Sequence, residues 1–277
     1  MCYTPPMIGV FDSGYGGLTV LKSLLKQLPQ YDYLYLGDNA RAPYGGRSSE
    51  AIIQYSREAM DFLFSRGARL ILVACNTVSA VALRQLQEEY LRTPNVTDKK
   101  ILGVIFPLME KASEVSKNGR IGVVGTSATV DSEAYVHELK KLNPDLSIVQ
   151  QACPLLVPFI EEGWEGKPEA KQILKKYLRS LKGKDLDTLI LGCTHYPLMH
   201  ADFERVMGKQ VNVFDTGPTV ADSLENYLQR HTEIENPLQK GTKGTRLFMT
   251  TGDPERFKTL GSRFLGQSIQ AVEHIEL

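Results

Sequence analysis

The sequence predicts an α/β fold of two pseudo-symmetric halves with mainly parallel sheets. Short apolar segments alternate with amphipathic, helix-length segments along the 277 residues, and this alternation is typical of parallel sheets. Ile8-Gly9-Val10 recurs as Ile121-Gly122-Val123, at an offset of 121 − 8 = 113 residues. Two further apolar segments each end in a cysteine, Cys75 and Cys193, which lie 193 − 75 = 118 residues apart. The two similar offsets indicate a duplicated unit with one thiol in each half.

The predicted strands are short apolar runs that end at glycine or polar residues. They cover residues 7–11, 33–38, 70–74, 101–105, 120–125, 147–153, 189–192, 211–215 and 246–251. The predicted helices carry apolar residues at helical spacing. They cover residues 18–28, 48–66, 79–91, 107–116, 132–142, 169–181 and 218–228, and a last helix starts at Asp253-Pro254. The polar residues 231–245 are predicted to be a loop.

The polar segment 92–100 is the predicted crossing between two domains, because it separates two runs of strands and helices and contains Pro94 and Asn95. Residues 1–98 together with 213–277 make up the first predicted domain, and residues 99–212 make up the second. The C-terminal segment is therefore expected to pack back on the first half.

The composition argues against several classes of protein. Lys+Arg and Asp+Glu both number 32, so the formal net charge of zero does not favour a strongly electrostatic nucleic-acid binder. No apolar run approaches the roughly 18 residues of a membrane span, and the first residues lack the pattern of a signal peptide. None of the four cysteines forms a C-x-x-C pair, so no zinc knuckle or thioredoxin motif is expected. We expect a cytoplasmic protein with reduced thiols, no metal and no membrane or nucleic-acid partner.

The first predicted strand leads into the turn Asp12-Ser13-Gly14-Tyr15-Gly16-Gly17 and then into a helix. A strand, a glycine-rich turn and a helix can form a site for an anion, but the spacing is neither that of a phosphate loop nor that of a dinucleotide-binding turn. A tight turn with Asp12 as a helix cap is the alternative. A carboxylate at this place indicates a task for Asp12, either to meet a substrate ammonium or to orient another group.

Residues 39–47 form a predicted loop after the second strand. Pro43 restricts the backbone, whereas Gly45 and Gly46 permit positive φ, so this loop can bring backbone groups, with Tyr44, close to a ligand. An ordinary surface loop is the alternative.

The two strand-end cysteines allow several interpretations. A buried cysteine often acts as a small apolar residue, and this is the expectation for Cys153, which precedes apolar residues, while Cys2 lies in a predicted tail. Cys75 and Cys193 are instead each followed by polar residues, which favours function. They could form a redox disulfide, or Cys193 could be a nucleophile with His195 as its base, although side chains two positions apart need not meet.

The remaining interpretation places one thiol on each side of a bound molecule. One thiolate removes a proton and the other thiol returns one to the opposite face. A free cysteine has a pKa of about 8.5, so its surroundings must adjust that value, and Asp12 or His195 could do so. The residues alone leave the three interpretations open.

Five motifs in one chain resemble those of bacterial glutamate racemases, of the aspartate/glutamate racemase superfamily. They are Asp12-Ser13-Gly14-x-Gly16-Gly17, Pro43-Tyr44-Gly45, Ala74-Cys75-Asn76-Thr77, Gly192-Cys193-Thr194-His195-Tyr196-Pro197 and Thr250-Thr251-Gly252-Asp253-Pro254. The resemblance implies two α/β domains with the active site in the cleft between them. It also implies interconversion of L- and D-glutamate without a cofactor, to supply D-glutamate for peptidoglycan, and a homodimer.

The resemblance also assigns roles to residues. It implies that Cys75 deprotonates D-glutamate, that Cys193 deprotonates L-glutamate, and that Asp12 and His195 assist them. A glutamate of the family falls at Glu161 or Glu162, and we favour Glu161. The implied substrate-binding residues are Asp12, Ser13, Pro43, Tyr44, Gly45, Asn76, Thr77, Thr126, Thr194 and His195.

Three alternatives remain at this point. An aspartate or hydantoin racemase of the same superfamily is the nearest, although the Cys-Thr-His segment and the Asp-Ser-Gly turn favour glutamate. A non-catalytic amino-acid-binding regulator would be expected to lack one thiol, and both are present. A redox protein would form a disulfide between Cys75 and Cys193.

Overall fold

The structure is a computed structural model, and it describes residues 6–91, 99–238, 241 and 244–277. Cys2 and most of the predicted domain crossing, residues 92–98, lie outside the described residues.

Strands and helices alternate along the described chain. The strands are β1 (Met7–Asp12), β2 (Tyr33–Gly37), β3 (Ala68–Val73), β4 (Lys100–Gly103), β5 (Arg120–Gly125), β6 (Ser147–Ala152), β7 (Thr188–Gly192), β8 (Asn212–Phe214), β9 (Arg246–Thr250) and β10 (Glu273–His274). The helices are α1 (Leu18–Gln27), α2 (Ser49–Ser65), α3 (Asn76–Val81), α4 (Leu83–Leu91), α5 (Ile105–Val115), α6 (Ser127–Asp131), α7 (Ala134–Leu142), α8 (Leu156–Glu161), α9 (Pro168–Leu178), α10 (His200–Met207), α11 (Thr216–Arg230), α12 (Thr232–Glu235) and α13 (Pro254–Leu265). Short 3₁₀ turns cover Tyr44–Gly46 and Tyr196–Met199.

Within the described chain, these strands form two sheets whose pairings are all parallel. The first sheet has six strands in the order β10-β9-β2-β1-β3-β4, and the second has four in the order β6-β5-β7-β8. The predicted α/β class with parallel sheets is confirmed. The C-terminal strand β10 pairs with β9, so the tail does return to the first sheet.

The two sheets repeat one strand order. The run β2-β1-β3-β4 of the first sheet corresponds to β6-β5-β7-β8 of the second. Ile8-Gly9-Val10 lies in β1 and Ile121-Gly122-Val123 lies in the equivalent strand β5. The cysteines follow β3 and β7, which are also equivalent. The strand order is therefore duplicated, as the short sequence repeat indicates.

The predicted domain boundaries do not match the sheets at two strands. The strand predicted at 101–105 was assigned to the second domain, but β4 pairs with β3 of the first sheet and ends at Gly103, and Ile105 begins α5. Val213, assigned to the first domain, lies in β8, which pairs with β7 of the second sheet. Each edge strand completes its own sheet before the chain crosses, so the sheets divide a few residues later than the predicted boundaries at 98 and 213.

Helix starts follow recognisable capping residues in some places and not in others. The Ser48 hydroxyl accepts from Ala51 N at the start of α2, and the Asp253 carboxylate accepts from Arg256 N at 2.8 Å at the start of α13. The helix predicted at 79–91 starts earlier, at Asn76, and is divided into α3 and α4. Cys75 occupies the cap position without a side-chain cap bond, so no capping residue marks this start in the sequence. The predicted loop 231–245 contains the short helix α12.

One hydrophobic core joins the two halves. It includes Val10 of β1 and Val124 of β5, together with Leu191 of β7. Helices α1 and α11 pack against each other within it through residues such as Leu21 and Leu224. The central strands are buried on both faces, which is why they read as continuous apolar runs. In the described part of the chain, no helix is long and apolar enough to cross a membrane.

Candidate active site

A buried cavity of about 30 Å³ lies among residues that follow strands of both sheets. It collects nearly all the residues that the sequence analysis selected. The lining residues are Ser13, Gly14, Ala42, Pro43, Tyr44, Gly45, Cys75, Asn76, Thr77, Thr126, Val157, Glu161, Cys193, Thr194 and His195. Asp12 is the one predicted site residue that does not line it. The carboxyl ends of parallel strands from two sheets thus form a single site.

Asp12 lies behind the cavity and holds the first turn to the second half. Its side chain is buried and accepts hydrogen bonds from Gly14 N at 2.9 Å and from Thr194 Oγ1 at 3.3 Å. Burial raises the pKa of Asp12, and the charge of His195 opposes that rise. These contacts fit the second of its expected tasks, the orientation of other groups.

The glycines of this turn allow the two halves to approach closely. A Cβ atom at Gly16 would lie 2.1 Å from Thr194 Oγ1 and 2.5 Å from His195 Nδ1. A Cβ atom at Gly17 would lie 2.5 Å from the Cβ of Asp12. The Thr19 hydroxyl donates to Thr194 O at 2.9 Å and fastens this contact. Residues 194–195 of the other half therefore pack directly against this turn.

Cys75 lies at the end of β3, where it caps α3. Its thiol is 4% exposed, and Sγ lies 3.5 Å from Ser13 Oγ. Burial, with the nearby charge of Asp12, raises the pKa of Cys75 to about 12, although the contact with Ser13 acts in the opposite direction. Cys75 is therefore a protonated thiol in the absence of a substrate.

Cys193 lies at the end of β7 beside a histidine. Its Sγ is 3.9 Å from Nδ1 of His195, and Nε2 of His195 is 2.9 Å from Oε1 of Glu161. Burial lowers the pKa of His195, but the hydrogen bonds to Cys193 and Glu161 outweigh it and raise that pKa to about 10. The ring is thus an imidazolium that donates to the sulfur on one side and to the carboxylate on the other.

Cys193 and His195 are in contact although side chains two positions apart need not meet. The chain turns as it leaves β7, and Tyr196 N donates to Cys193 O at 3.1 Å. This turn brings side chains two positions apart to the same side. Glu161 is the glutamate that reaches the ring, whereas Glu162 is largely exposed and lies 3.7 Å from Arg256.

Hydroxyl and amide groups line the cavity together with the two thiols. Thr77 Oγ1 lies 3.0 Å from Thr126 Oγ1, across the two halves. Tyr135 donates its hydroxyl to Asn76 Oδ1 at 2.8 Å. Among the described residues, no lysine or arginine lines the cavity, and no group of three His, Cys, Asp or Glu side chains could hold a metal ion.

Comparison with known proteins agrees with this arrangement. A sequence profile of the Asp/Glu/Hydantoin racemase family matches residues 8–224. The chain belongs to that family. A glutamate racemase of Geobacter metallireducens is 41% identical over 270 residues, which cover 98% of this chain and 96% of that protein. This chain is accordingly an amino-acid racemase.

Solved structures of racemases share the whole fold. A glutamate racemase of Bacillus anthracis superimposes with a TM-score of 0.91 at 36% identity, covering 99% of both chains. A glutamate racemase of Francisella tularensis in complex with D-glutamate has a TM-score of 0.88 at 31% identity, covering 99% of this chain and 98% of that one. The two-domain racemase fold therefore extends over the full chain.

The loop after β2 is a built part of this racemase and not an ordinary surface loop. The Tyr44 side chain is fully buried, and its hydroxyl donates to the carboxylate of Asp38. Arg41 Nε donates to Asp38 at 2.6 Å, and Thr251 Oγ1 donates to it at 2.7 Å. Asp38 thus fixes the loop to the first sheet. Asp38 is not among the site residues predicted from the sequence, although a carboxylate directly after a buried strand was a usable signal.

The same loop meets the second half at Gly45. A Cβ atom at Gly45 would lie 2.6 Å from the Cβ of Thr126, so only glycine allows this approach. Pro43 and Tyr44 line the cavity beside it. The selection of Pro43, Tyr44, Gly45 and Thr126 therefore agrees with their common location.

Helix α13 of the first half supports the histidine from outside the cavity. Arg263 donates to Ile160 O and, at 3.3 Å, to Glu161 O. The Phe264 ring packs edge-on against His195, with centroids 5.1 Å apart. No motif marks these two residues in the sequence, because their role depends on a contact between the C-terminal helix of the first half and residues of the second half.

The remaining cysteine matches its predicted role. Cys153 is fully buried in the hydrophobic core, so its interpretation as an apolar residue is confirmed. Cys75, Cys153 and Cys193, the described cysteines, are all free thiols.

Proposed function

We propose that this racemase interconverts L- and D-glutamate without a cofactor, with Cys75 and Cys193 as its two acid–base groups. The observation that carries the proposal is the convergence of both thiols, each from the equivalent strand end of a different sheet, on one buried cavity. Racemisation needs a proton acceptor and a proton donor at one carbon, and this arrangement supplies two matched groups.

The surroundings of the thiols suit one direction of proton transfer. A thiolate at Cys193, paired with the His195 imidazolium, takes the α-proton of L-glutamate. Cys75, whose pKa is raised to about 12, is protonated and returns a proton to the opposite face of the carbanion. In the reverse direction the roles exchange, and Asp12 and His195 are the neighbours that assist each thiol.

Neutral donors are proposed to receive the substrate carboxylates. Asn76, Thr77 and Thr126 line the cavity that also holds the two thiols. The carbanion formed at the α-carbon accumulates charge beside a carboxylate, so oriented donors in a dry site must stabilise it. Each tenfold gain in rate corresponds to about 1.4 kcal/mol of barrier, so several such donors must act together.

The cavity must open for a substrate to enter. Its volume of about 30 Å³ is space for roughly two water molecules, which is too small for an amino acid. We propose that the halves separate at the two chain crossings, after β4 and after β8, and close again around glutamate. Closure removes water and strengthens each electrostatic contact in the site.

Glutamate is preferred to aspartate or a hydantoin as the substrate because whole-length relatives of this chain are glutamate racemases. We extend the proposal to supply of D-glutamate for peptidoglycan in the cytoplasm by a homodimer. The presence of both thiols argues against a non-catalytic regulator.

The deciding experiment is a proton NMR time course of L-glutamate in D₂O with the purified protein and no added cofactor. We expect the α-proton signal to disappear and D-glutamate to accumulate. Exchange without D-glutamate would contradict the two-thiol scheme, and exchange of aspartate alone would move the substrate assignment. Absence of exchange with every amino acid would overturn the proposed activity.

A further inference from the structure

The side-chain amide of Asn76 uses its oxygen, but not its nitrogen, in a hydrogen bond within the described residues. Its Oδ1 accepts the hydroxyl of Tyr135 at 2.8 Å. Its Nδ2 is buried and, among the described residues, has no hydrogen-bond partner. Asn76 is 2% exposed and lines the cavity that holds both thiols. Buried polar groups are nearly always paired, so an unpaired amide nitrogen in a site indicates a donor kept for a ligand.

The Tyr135 hydroxyl donates to Oδ1 and thereby favours the orientation of the amide in which Nδ2 is free. If the amide turned over, the phenolic hydrogen would lose Oδ1 as its acceptor. The carbonyl oxygen would then occupy the place of Nδ2 and repel an anionic ligand. The observed arrangement satisfies the phenol and leaves two N–H donors for the cavity.

Tyr135 also connects the two halves beside the two cysteines. It is fully buried on α7 of the second half, whereas Asn76 directly follows Cys75 in the first half. Its ring also packs over Gly192, the residue before Cys193, where a Cβ atom would lie 3.3 Å from the phenolic oxygen. The amide is thus oriented by the opposite half when the site is closed.

We propose that Tyr135 is a positioning residue that aims the Nδ2 donor of Asn76 at a carboxylate oxygen of the substrate. The inference rests on the proposed function, since it requires an anionic amino acid in this cavity. Tyr135 does not touch the substrate and acts only through Asn76. The donor is oriented only in the closed form, so substrate binding and closure favour each other.

The test is a double-mutant cycle on kcat/KM for glutamate with Tyr135→Phe, Asn76→Ala and the two combined. Loss of an oriented hydrogen bond predicts a fall of about threefold to tenfold for Tyr135→Phe, mainly through KM, because a carboxylate is present in both ground and transition states. Loss of a donor to a charged group predicts about tenfold to a hundredfold for Asn76→Ala. The double variant is expected to match Asn76→Ala alone.

Tyr33→Phe is the matched control. It removes a buried hydroxyl that donates to Leu28 O at 3.0 Å, away from the cavity, and kcat/KM is expected to stay unchanged. Asn76→Asp gives a second route should Tyr135→Phe fail to fold. It keeps an acceptor for Tyr135 but places an oxygen at the Nδ2 position, so KM is expected to rise more than in Asn76→Ala.

Additive losses in the double variant, or an unchanged KM in Tyr135→Phe, would overturn the inference. An Asn76→Asp variant that binds glutamate as well as Asn76→Ala would do the same. These outcomes are distinct from failure of the proposed function, in which the wild-type protein itself would not exchange the α-proton of glutamate.

Discussion

Cys75 and Cys193 follow equivalent strands of two sheets that share one strand order, yet the polar groups beside them differ. Cys75 has the hydroxyl of Ser13 at 3.5 Å and the carboxylate of Asp12 behind it. Cys193 has a histidine at 3.9 Å, which a glutamate in turn contacts at 2.9 Å. A duplicated scaffold therefore places the thiols alike, and the loops that follow make their surroundings unlike.

The difference between the two cysteines fits a reaction that interconverts mirror-image substrates in a site that is not itself symmetric. L- and D-glutamate present their α-protons to opposite faces, but their carboxylates and ammonium must be held by one set of groups. The two sides of the site therefore cannot be mirror images. The His195 imidazolium lies beside Cys193, whereas the Asp12 carboxyl lies near Cys75 and contributes to the raised pKa of that thiol.

Removal of either thiol is the severest test of this comparison. Cys75→Ala and Cys193→Ala are each expected to reduce racemisation by on the order of 10³-fold or more in both directions, because an acid or base is lost from the only reacting carbon. Cys153→Ala is the matched control, since Cys153 also follows a strand but lies in the core. Coupled assays of D- and L-glutamate measure the rates, and full activity of Cys75→Ala would refute the two-thiol scheme.

Neutralisation of Glu161 tests how this carboxylate acts on His195, the neighbour of Cys193. Glu161→Gln is expected to reduce kcat/KM by about tenfold to a hundredfold, because His195 loses the charge that holds its proton. The pKa of His195, raised to about 10 by Cys193 and Glu161, would fall. Since the imidazolium form exists below that pKa, the high-pH limb of the profile should move to lower pH.

A profile of kcat/KM against pH for both enantiomers measures this shift. The equilibrium constant of a racemase is one, so kcat/KM must fall equally for L- and D-glutamate. Glu162→Gln is the control, because Glu162 is largely exposed and adjoins the target. An unmoved limb in Glu161→Gln, or an equal shift in Glu162→Gln, would show that Glu161 does not hold the proton of His195.

Much of this site could be predicted because its signals are local. The strand-end cysteines, the Asp12 turn and the Tyr44 loop each combine a buried strand with unusual polar residues immediately after it. Tyr135 and the α13 residues that support Glu161 carry no such signal, because their contacts join segments distant in the chain.

The fold was predictable to the same extent and for a similar reason. Alternating periodicity gave the parallel sheets, but strand membership at the crossings did not follow from it. An apolar edge strand such as β4 or β8 reads the same in either sheet, and only tertiary pairing decides its place. Likewise, Cys75 starts α3 without a capping side chain, so no sequence signal marked that start.

Asp38→Asn tests the loop that closes the Cys75 side. Asp38 is a buried carboxylate that accepts from Tyr44, Arg41 and Thr251, so loss of its charge should lower the free energy of unfolding by about 2 kcal/mol. A fall of about tenfold in kcat/KM is expected from misplacement of Tyr44. Thr251→Val, which removes one neutral donor to Asp38 and the acceptor of Ala40 N, should cost about half as much stability. Urea unfolding compares the variants, and equal stability of Asp38→Asn and wild type would exclude this role.

The smallest expected effect comes from Ser13→Ala. Ser13 lowers the pKa of Cys75 against burial and Asp12, so its loss should raise that pKa further. In the proposed mechanism, Cys75 must be a thiolate only when D-glutamate is the substrate, and the thiolate forms above the pKa. We therefore expect kcat for D-glutamate at neutral pH to fall about threefold, at the size of one weak hydrogen bond, while kcat for L-glutamate changes less. Equal changes in kcat for the two enantiomers would mean that Ser13 acts on the substrate and not on the thiol, and the unequal surroundings of the cysteines would then rest on His195 alone.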